Sequence, residues 1–380
     1  MALSELGPRR YEGLVSPERI KSSLVVVTDL EGPHLLGDTA LDVMSTFVRP
    51  IVNGNGIDHG ATLYGETYNW FEENFDTKGL GQEGSDIVLA MPALLYFGVT
   101  EEMIVRVAAK SLRTPGSEEY VKFLKSQGAL VVGVTTAWRE VHKDIVLKKV
   151  GLDDIVGTDF PIDKARKRLI RVGRWTQEME TTRKFLDESF TIIDCLNNAN
   201  DEEKEKHVRN LRERIENFYV NTLGVSWDGT GKMVLANGHT TELASIMAEC
   251  DVIGDKRKAE VAHQLFARHG YPGSVNVAIG DGFNDRRMLN ESPWSIGING
   301  AEAAKAAKIG VIAQNVGQPL IVITDLLRRN SDMRFVVEEA QRILGNRAIV
   351  HAGGPNLSKD LSSAHQKMKR EIRGKGALLP

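Results

Sequence analysis

The stretch SLVVVTDLEG at residues 23–32 decides the fold. Residues 24–28 form an unbroken apolar and β-branched run, which is typical of a strand buried on both faces in a parallel sheet. Two acids, Asp29 and Glu31, follow the run directly, and Gly32 comes next. The sequence therefore predicts acidic side chains at the carboxyl end of a buried strand.

Short apolar runs of the same kind recur downstream and alternate with segments of helical spacing. Strands that alternate with helices indicate a parallel sheet, so we predict an α/β fold with a Rossmann-like, doubly wound sheet. In such sheets ligands bind at the carboxyl ends of the strands. The further predicted strand regions lie at residues 129–134, 155–163, 250–253, 275–280 and 294–298.

Two long helical stretches interrupt the strand pattern. Residues 34–111 are expected to form a helical cap, and residues 164–249 a second, mostly helical insertion. Residues 347–380, which contain the basic run KMKREIRGK at 367–375, are expected to form a mobile, solvated tail. The core is then expected to comprise residues 1–33, 112–163 and 250–346.

Composition excludes several classes of protein. Hydrophobic residues make up 42% of the 380 residues and charged residues 26%, which is ordinary for a globular protein. The net charge of −3 offers no electrostatic case for binding nucleic acid or an anionic membrane. Two cysteines cannot build a disulfide framework, and no apolar run reaches the roughly 18 residues of a membrane span. We expect a cytoplasmic protein, with the oligomeric state, a homodimer included, left open.

Four polar features follow the predicted strands in an order that suits phosphoryl transfer. They are the acids of residues 29–31, the pair Thr135-Thr136, a lysine at position 256 or 258, and the run GDGFND at 280–285. A phosphomonoester is dianionic, so its reaction depends on positioning and charge neutralisation. A carboxylate can act as nucleophile, a hard divalent cation can screen it from the phosphoryl group, and a second acid can transfer the proton.

These motifs resemble those of the haloacid dehalogenase-like hydrolase superfamily, in particular its phosphoserine-phosphatase-like branch. The matching runs are VVVTDLEG (25–32), VVGVTT (131–136), GDKRKAE (254–260) and AIGDGFND (278–285). The resemblance implies an enzyme that uses Mg²⁺ and passes through an aspartyl-phosphate intermediate on a small phosphorylated substrate.

The resemblance also implies roles for single residues. Asp29 would be the nucleophile and Glu31 the general acid and base, with its backbone carbonyl as a metal ligand. Thr135 would bind the phosphoryl group, Lys258 would neutralise it, and Asp281 would be a metal ligand. The remaining implied residues are Asp285 in the metal shell, and Gly32, His34, Thr136 and Asn284 in contact with phosphate or substrate.

Two of these assignments leave alternatives open. Either Thr135 or Thr136 could supply the hydroxyl, and Trp138 three residues after Thr135 favours the first. Lys258 is favoured over Lys256, because apolar residues follow Lys258 at the spacing of a buried helix face. In the cap, His34, Asp38 and Arg49 are the polar residues nearest the acids in sequence, and each is a candidate substrate ligand.

Glu31 departs from the commonest pattern of the superfamily, which is Asp-x-Asp rather than Asp-x-Glu. Members similar to enolase phosphatase and to homoserine phosphotransferase carry the same glutamate, so the departure is compatible with activity. A phosphotransferase that passes the phosphoryl group to a substrate hydroxyl is therefore an alternative to a phosphatase.

A more detailed resemblance covers about residues 23–310. The runs TDLEGPHLLGDTALDV (28–43), MPALLYFGVTEEMI (91–104) and VGTDFPID (156–163) are similar to an archaeal group often named subunit R of energy-converting hydrogenase A. That similarity raises a third possibility, a non-catalytic partner or assembly protein. The intact set of motifs argues against it, and the chain has too few cysteines for an iron–sulfur cluster.

Overall fold

Strands and helices alternate in this computed structural model, which describes residues 21–50, 57–76, 78, 84–197, 199–228, 231–236, 238 and 241–374. The strands are β1 (Leu24–Thr28), β2 (Leu130–Trp138), β3 (Asp154–Thr158), β4 (Val225–Trp227), β5 (Met233–Leu235), β6 (Val275–Gly280), β7 (Trp294–Ile298), β8 (Ile309–Ile312) and β9 (Ile349–Ala352). The first helices are α1 (Thr39–Phe47), α2 (His59–Phe71), α3 (Asp86–Leu89), α4 (Met91–Tyr96), α5 (Glu101–Ala108), α6 (Ser117–Ser126), α7 (Arg139–Ile145), α8 (Ile162–Arg171) and α9 (Trp175–Leu196). The others are α10 (Asp201–Glu216), α11 (Glu242–Glu249), α12 (Asp255–His269), α13 (Arg286–Glu291), α14 (Ala301–Ala306), α15 (Gly317–Arg329), α16 (Met333–Leu344) and α17 (Lys359–Arg373).

Seven of the described strands form one sheet in the order β3-β2-β1-β6-β7-β8-β9. All neighbours are parallel except β8 and β9, which pair antiparallel. β1 lies between β2 and β6, and every one of its residues is buried. This explains its unbroken apolar sequence, because helices cover both faces of a parallel sheet. The predicted α/β fold class is confirmed.

The two faces of β1 pack against different helices. Val25 and Val27 belong to a cluster that includes Val261 of α12 and Leu289 of α13. The intervening Val26 belongs to the larger cluster, which also contains Tyr120 of α6. Because successive side chains of a strand point to opposite faces, this alternation gives a three-layered core that holds the end of β1 rigidly.

The two helical insertions pack against each other. Arg212 of α10 donates to Glu66 of α2 and, 2.7 Å away, to both carboxylate oxygens of Glu73. Trp70 of α2 stacks on Tyr219, which follows α10, with ring centroids 6.2 Å apart. The segments 34–111 and 164–249 therefore contribute to one helical unit over the sheet. Tyr64, Trp70 and Phe71 of α2 are buried in the interior of this unit.

The strand predicted at Cys250–Ile253 is wrong. Cys250 is the C-cap of α11, and no described residue between it and α12 has strand structure. Ile253 is buried in the apolar cluster that contains Val25 and Val27, and its backbone N–H donates to the Thr158 hydroxyl at the end of β3, 3.1 Å away. The apolar residues among 250–253 therefore belong to a partly buried loop, and not to a strand.

The mobile tail predicted at 347–380 is also wrong for its described part. Residues 349–352 form β9, which pairs with β8, a strand that the sequence patterns also missed. Residues 359–373 form α17, whose N-cap Ser358 accepts a hydrogen bond from Leu361. Buried His365 anchors this helix on β9 through the His351 ring, with 2.9 Å between the two Nε2 atoms. Residues 375–380 lie outside the described residues.

Within the described residues, no single helix has the length and apolar character needed to cross a membrane. By those two criteria alone one bent pair qualifies, Asp86–Tyr96 with Glu101–Ala108, whose axes meet at 119°.

His34 is a buried link between the end of β1 and α6, and its assignment as a substrate ligand is wrong. Its Nε2 lies 3.1 Å from the Thr28 hydroxyl and its Nδ1 lies 2.8 Å from the Ser117 hydroxyl. Thr28 already donates to the Asp29 carbonyl, so His34 Nε2 must donate and Nδ1 accept. Burial, with the charge of Arg113, lowers the pKa of His34 to about 3.

The neutral His34 ring makes stability depend on pH. The folded-state pKa lies below the unfolded one, so the stabilisation is present above about pH 6.5 and is lost as the pH falls toward 3. From pH 7 to 5, the wild type should lose about 2 kcal/mol more unfolding free energy than His34→Gln. Urea unfolding at both pH values measures this. The exposed His263→Gln serves as control and should follow the wild type; equal losses in His34→Gln and wild type would contradict the assignment.

Candidate active site

The polar side chains predicted at the strand ends meet in one place. Asp29 follows β1 and Asp281 follows β6, the neighbouring parallel strand, so both acids lie at the same edge of the sheet. Thr135 and Thr136 lie in the last part of β2, on the other side of β1. A cavity open to solvent lies at this edge of the sheet. Its lining residues are Asp29, Glu31, Asp38, Thr135, Thr136, Asp281, Gly282, Asn284, Lys369 and Arg373.

Three buried carboxylates form the centre of the site. Asp29, Asp281 and Asp285 each present an oxygen within 4.8 Å of the others. Burial and the charge of Asp285 raise the pKa of Asp29 to about 7, while Lys258 acts in the opposite direction. Like charges this close disfavour ionisation of the whole set unless cations balance them.

Lys258 supplies one of these cations. Its Nζ lies 2.7 Å from Asp285 Oδ1 and 3.1 Å from Asp29 Oδ1, and its side chain is fully buried. Burial opposes the charged form, but Asp285 and Asp29 outweigh burial and raise the pKa of Lys258. Lys256, the alternative, is exposed. The apolar face of α12 therefore directs Lys258, and not Lys256, into the site.

The loop after β6 holds Asp285 by backbone hydrogen bonds. Its Oδ2 accepts from the N–H of Asp281 at 3.0 Å and of Gly282 at 3.1 Å. A β-carbon on Gly280 would lie 2.4 Å from the same oxygen, so only glycine allows this approach. The spacing in GDGFND thus turns the Asp285 carboxylate back under the end of β6.

The chemistry of the donor set fits a hard divalent cation. Mg²⁺ prefers oxygen ligands, few carboxylates and near-octahedral geometry. The oxygens of Asp29, Asp281 and Asp285 are grouped closely, with Lys258 in contact with Asp29 and Asp285 and with Arg373 in contact with Asp281. Mg²⁺ is therefore the ion we expect these three side chains to hold.

Gly32 contacts Asp281 and is not placed to bind phosphate through its N–H. The N–H donates to the Leu35 carbonyl at 2.6 Å, and the carbonyl accepts from Thr114 at 2.6 Å. The φ of Gly32 is +108°, and a β-carbon there would lie 2.1 Å from Asp281 Oδ1. Its role is therefore to let the loop after β1 pass against the Asp281 carboxylate.

Glu31 is held by the first turn of the cap. Its Oε1 accepts from the Thr39 N–H at 2.8 Å and from the Thr39 hydroxyl at 2.6 Å. That hydroxyl lies 3.0 Å from His142 Nε2 and, since its own proton goes to Glu31, accepts from the ring. Burial lowers the pKa of His142 to about 4, so the ring is neutral at pH 7.

The environment of Glu31 favours the protonated acid. Burial, with the charge of nearby Asp38, raises the pKa of Glu31 to about 8, against the two hydrogen bonds from Thr39. Because Oε1 accepts both of those bonds, the proton belongs on Oε2. The sequence pattern identified Glu31, but Thr39 and His142 were missed, since they come from two other segments of the chain.

Both candidate hydroxyls lie in the cavity wall. The Thr135 hydroxyl accepts from the Ala137 N–H at 3.1 Å, and the Thr136 hydroxyl accepts from Asn284 Nδ2 at 3.0 Å. Each Oγ–H is therefore left to donate to a ligand. Thr135 is buried and Thr136 half-buried, and Trp138 stacks on Phe160 below them.

Two cations that sequence reasoning missed come from α17. Arg373 Nη1 lies 2.9 Å from Asp281 Oδ2, and Lys369 Nζ lies 3.8 Å from the same oxygen. Arg373 also donates to the carbonyls of Leu36 and Gly37 in the connection to the cap. The run KMKREIRGK, expected to be solvated, therefore forms one wall of the site. Of the remaining cap candidates, Asp38 lines the cavity and Arg49 is exposed.

Comparison with solved structures identifies a similar fold. No protein-family model matches the chain. A gene product from Archaeoglobus fulgidus is similar over 94% of this chain and 98% of its own, with a TM-score of 0.66 and 16% identity. Two structures of phosphoserine phosphatase also match. The one titled as a phospho-aspartyl intermediate analogue has a TM-score of 0.41 and 13% identity, over 77% of this chain and 93% of its own. The substrate-bound complex has a TM-score of 0.42 and 12% identity, over 80% and 98%. The first likeness shows a shared fold.

Gly32→Ala tests the close approach to Asp281. The added methyl group must displace the Asp281 carboxylate, so we expect Mg²⁺ affinity to fall about ten- to a hundredfold, as for other changes that misplace a metal ligand. Isothermal titration with Mg²⁺ measures this. Gly98→Ala also replaces a glycine of positive φ, but nothing lies within 4 Å of its added methyl group. Equal Mg²⁺ affinity in both variants would contradict the role of Gly32.

Proposed function

We propose that the protein is a Mg²⁺-dependent phosphatase of the haloacid dehalogenase-like type, acting on a small phosphorylated metabolite through an aspartyl-phosphate on Asp29. The observation that carries the proposal is the convergence of Asp29, Lys258, Asp281 and Asp285 at the carboxyl edge of the sheet. These residues come from three separate motifs, and their grouping matches the needs of phosphoryl transfer. The more detailed resemblance to the archaeal hydrogenase-subunit group stays a prediction.

In the first step, a carboxylate oxygen of Asp29 attacks phosphorus and the bond from phosphorus to the leaving oxygen breaks. Glu31 gives its proton to that oxygen, which leaves as the alcohol, and Asp29 becomes an acyl phosphate. Thr39 holds Glu31 in place for this transfer. Lys258, next to Asp29, neutralises charge on the phosphoryl oxygens.

In the second step, water attacks phosphorus and the bond from phosphorus to Asp29 breaks. Glu31, now a carboxylate, takes a proton from the water, so both side chains return to their first state and inorganic phosphate is released. Mg²⁺ bound by Asp29, Asp281 and Asp285 would supply charge neutralisation during both steps. Asp38, at the start of the cap, forms part of the cavity wall, and closure of a cavity limits access of solvent to an acyl phosphate.

We expect turnover to depend on Mg²⁺ and on Asp29. Phosphate release from a panel of phosphorylated metabolites should require Mg²⁺ and should vanish with chelator. Asp29→Asn should abolish it, because an amide cannot form the acyl phosphate. Asp187→Asn is the matched control, since Asp187 is an exposed acid on α9, and should keep full activity. Undiminished release by Asp29→Asn would refute the mechanism, and products other than free phosphate with an added alcohol would indicate phosphotransfer.

We expect the effect of replacing Glu31 to depend on the leaving group of the ester. Glu31→Gln should lower kcat/KM, which reports the steps up to departure of the leaving group, about 10²–10⁴-fold with an alkyl phosphate, because no proton reaches the leaving oxygen. The loss should be much smaller with p-nitrophenyl phosphate, whose phenolate leaves without protonation. Steady-state kinetics with the two esters measure the ratio. Equal losses with both esters would assign Glu31 a structural rather than a proton-transfer role.

A further inference from the structure

The wall of the site formed by α17 contains a cation with no hydrogen-bond acceptor among the described residues. Lys369 Nζ lies 3.8 Å from Asp281 Oδ2, beyond hydrogen-bond distance, and lines the cavity. Its side chain is only 13% exposed. An ammonium group in such a position retains three N–H donors and is largely shielded from water.

The other cations of the site are already engaged. Lys258 donates to Asp285 and lies 3.1 Å from Asp29. Arg373 is held by the Asp281 carboxylate and by the carbonyls of Leu36 and Gly37. Arg373 therefore joins α17 to the core and to the start of the cap. It positions the helix. Lys369 lies one turn earlier on the same face, and its ammonium group is available to bind a ligand.

The fold holds Lys369 in place on both sides along the helix. His365, four residues before it, is buried against β9, and Arg373, four residues after it, is fixed at Asp281. Residues four apart lie on one face of a helix, so the three side chains form a single row toward the site. Lys367 lies on another face of α17 and is 79% exposed. The position of Lys369 is therefore set by structure rather than by a flexible terminus.

We propose that Lys369 is an anion-binding residue of the site, which donates hydrogen bonds to an oxyanion of the ligand. The proposal rests on the proposed phosphatase function for the identity of that ligand, which is a phosphomonoester. The oxyanion is either the phosphoryl group itself or a carboxylate elsewhere on the same substrate. Lys258 lies on the side of the site next to Asp29 and Asp285, and Lys369 lies on the side next to Asp281.

Binding measurements on a catalytically inactive background test this proposal separately from turnover. Isothermal titration of Asp29→Asn in the presence of Mg²⁺ uses two probes, inorganic phosphate and phosphoglycolate, which carries a carboxylate beside its phosphoryl group. Adding Lys369→Met, which keeps the side-chain length, should weaken binding about ten- to a hundredfold through loss of a charge-assisted hydrogen bond. Loss with both probes assigns Lys369 to the phosphoryl group, and loss with phosphoglycolate alone assigns it to the carboxylate.

Two further variants and one control measurement complete the test. Lys367→Met removes the same charge from an exposed position of α17 and should leave binding unchanged. Lys369→Arg should restore most of the affinity, and Mg²⁺ affinity should not fall in Lys369→Met, whereas a residue that only positions Asp281 would lower it.

Equal binding by Lys369→Met and Lys367→Met would overturn the proposal, and so would failure of both probes to bind Asp29→Asn at millimolar concentration. Because these titrations need no turnover, an absence of phosphatase activity together with Lys369-dependent phosphate binding would reject the proposed function and keep this inference.

Discussion

Asp29, Asp281 and Asp285 repel one another, and the architecture around them counters that repulsion. Their oxygens lie within 4.8 Å of one another in the interior, where charge is costly. Lys258 contacts Asp29 and Asp285, and Arg373 contacts Asp281. Asp285 Oδ2 also accepts hydrogen bonds from backbone N–H groups. An α/β sheet can fold without such a cluster of carboxylates. The cluster suits a divalent cation, which indicates a function beyond folding.

Three separate parts of the chain complete the site around this cluster. The core sheet supplies the carboxylates at the ends of β1 and β6. The cap supplies Thr39, which holds Glu31, and His142 of α7 orients the Thr39 hydroxyl in turn. The C-terminal helix supplies Arg373, which contacts both Asp281 and the connection into the cap. A small movement of the cap would therefore displace Glu31 and Arg373 together.

The sequence predicts the centre of the site better than its periphery, for physical reasons. An acid that follows a buried apolar run lies at a strand end, so the local sequence predicts the positions of Asp29 and Asp281. The apolar face of α12 likewise distinguishes Lys258 from Lys256. His34 is close to Asp29 in sequence, but the turn after β1 directs its ring toward α6, which no local pattern shows. Lys369 and Arg373 lie in a basic segment, and such segments are usually exposed to solvent. Their burial depends on the antiparallel pairing of β9 with β8, two strands more than 30 residues apart in the chain, and this is a long-range contact.

The most direct test of the account is chemical trapping of the Asp29 acyl phosphate. Borohydride reduces an acyl phosphate to an alcohol, so quenching the wild type during turnover of its best panel ester should convert Asp29 to homoserine, as read by peptide mass spectrometry. Homoserine at position 29, absent with chelator, is the result that the account predicts. Phosphate release with Asp29 unmodified, or with the reduced residue at another position, would contradict it.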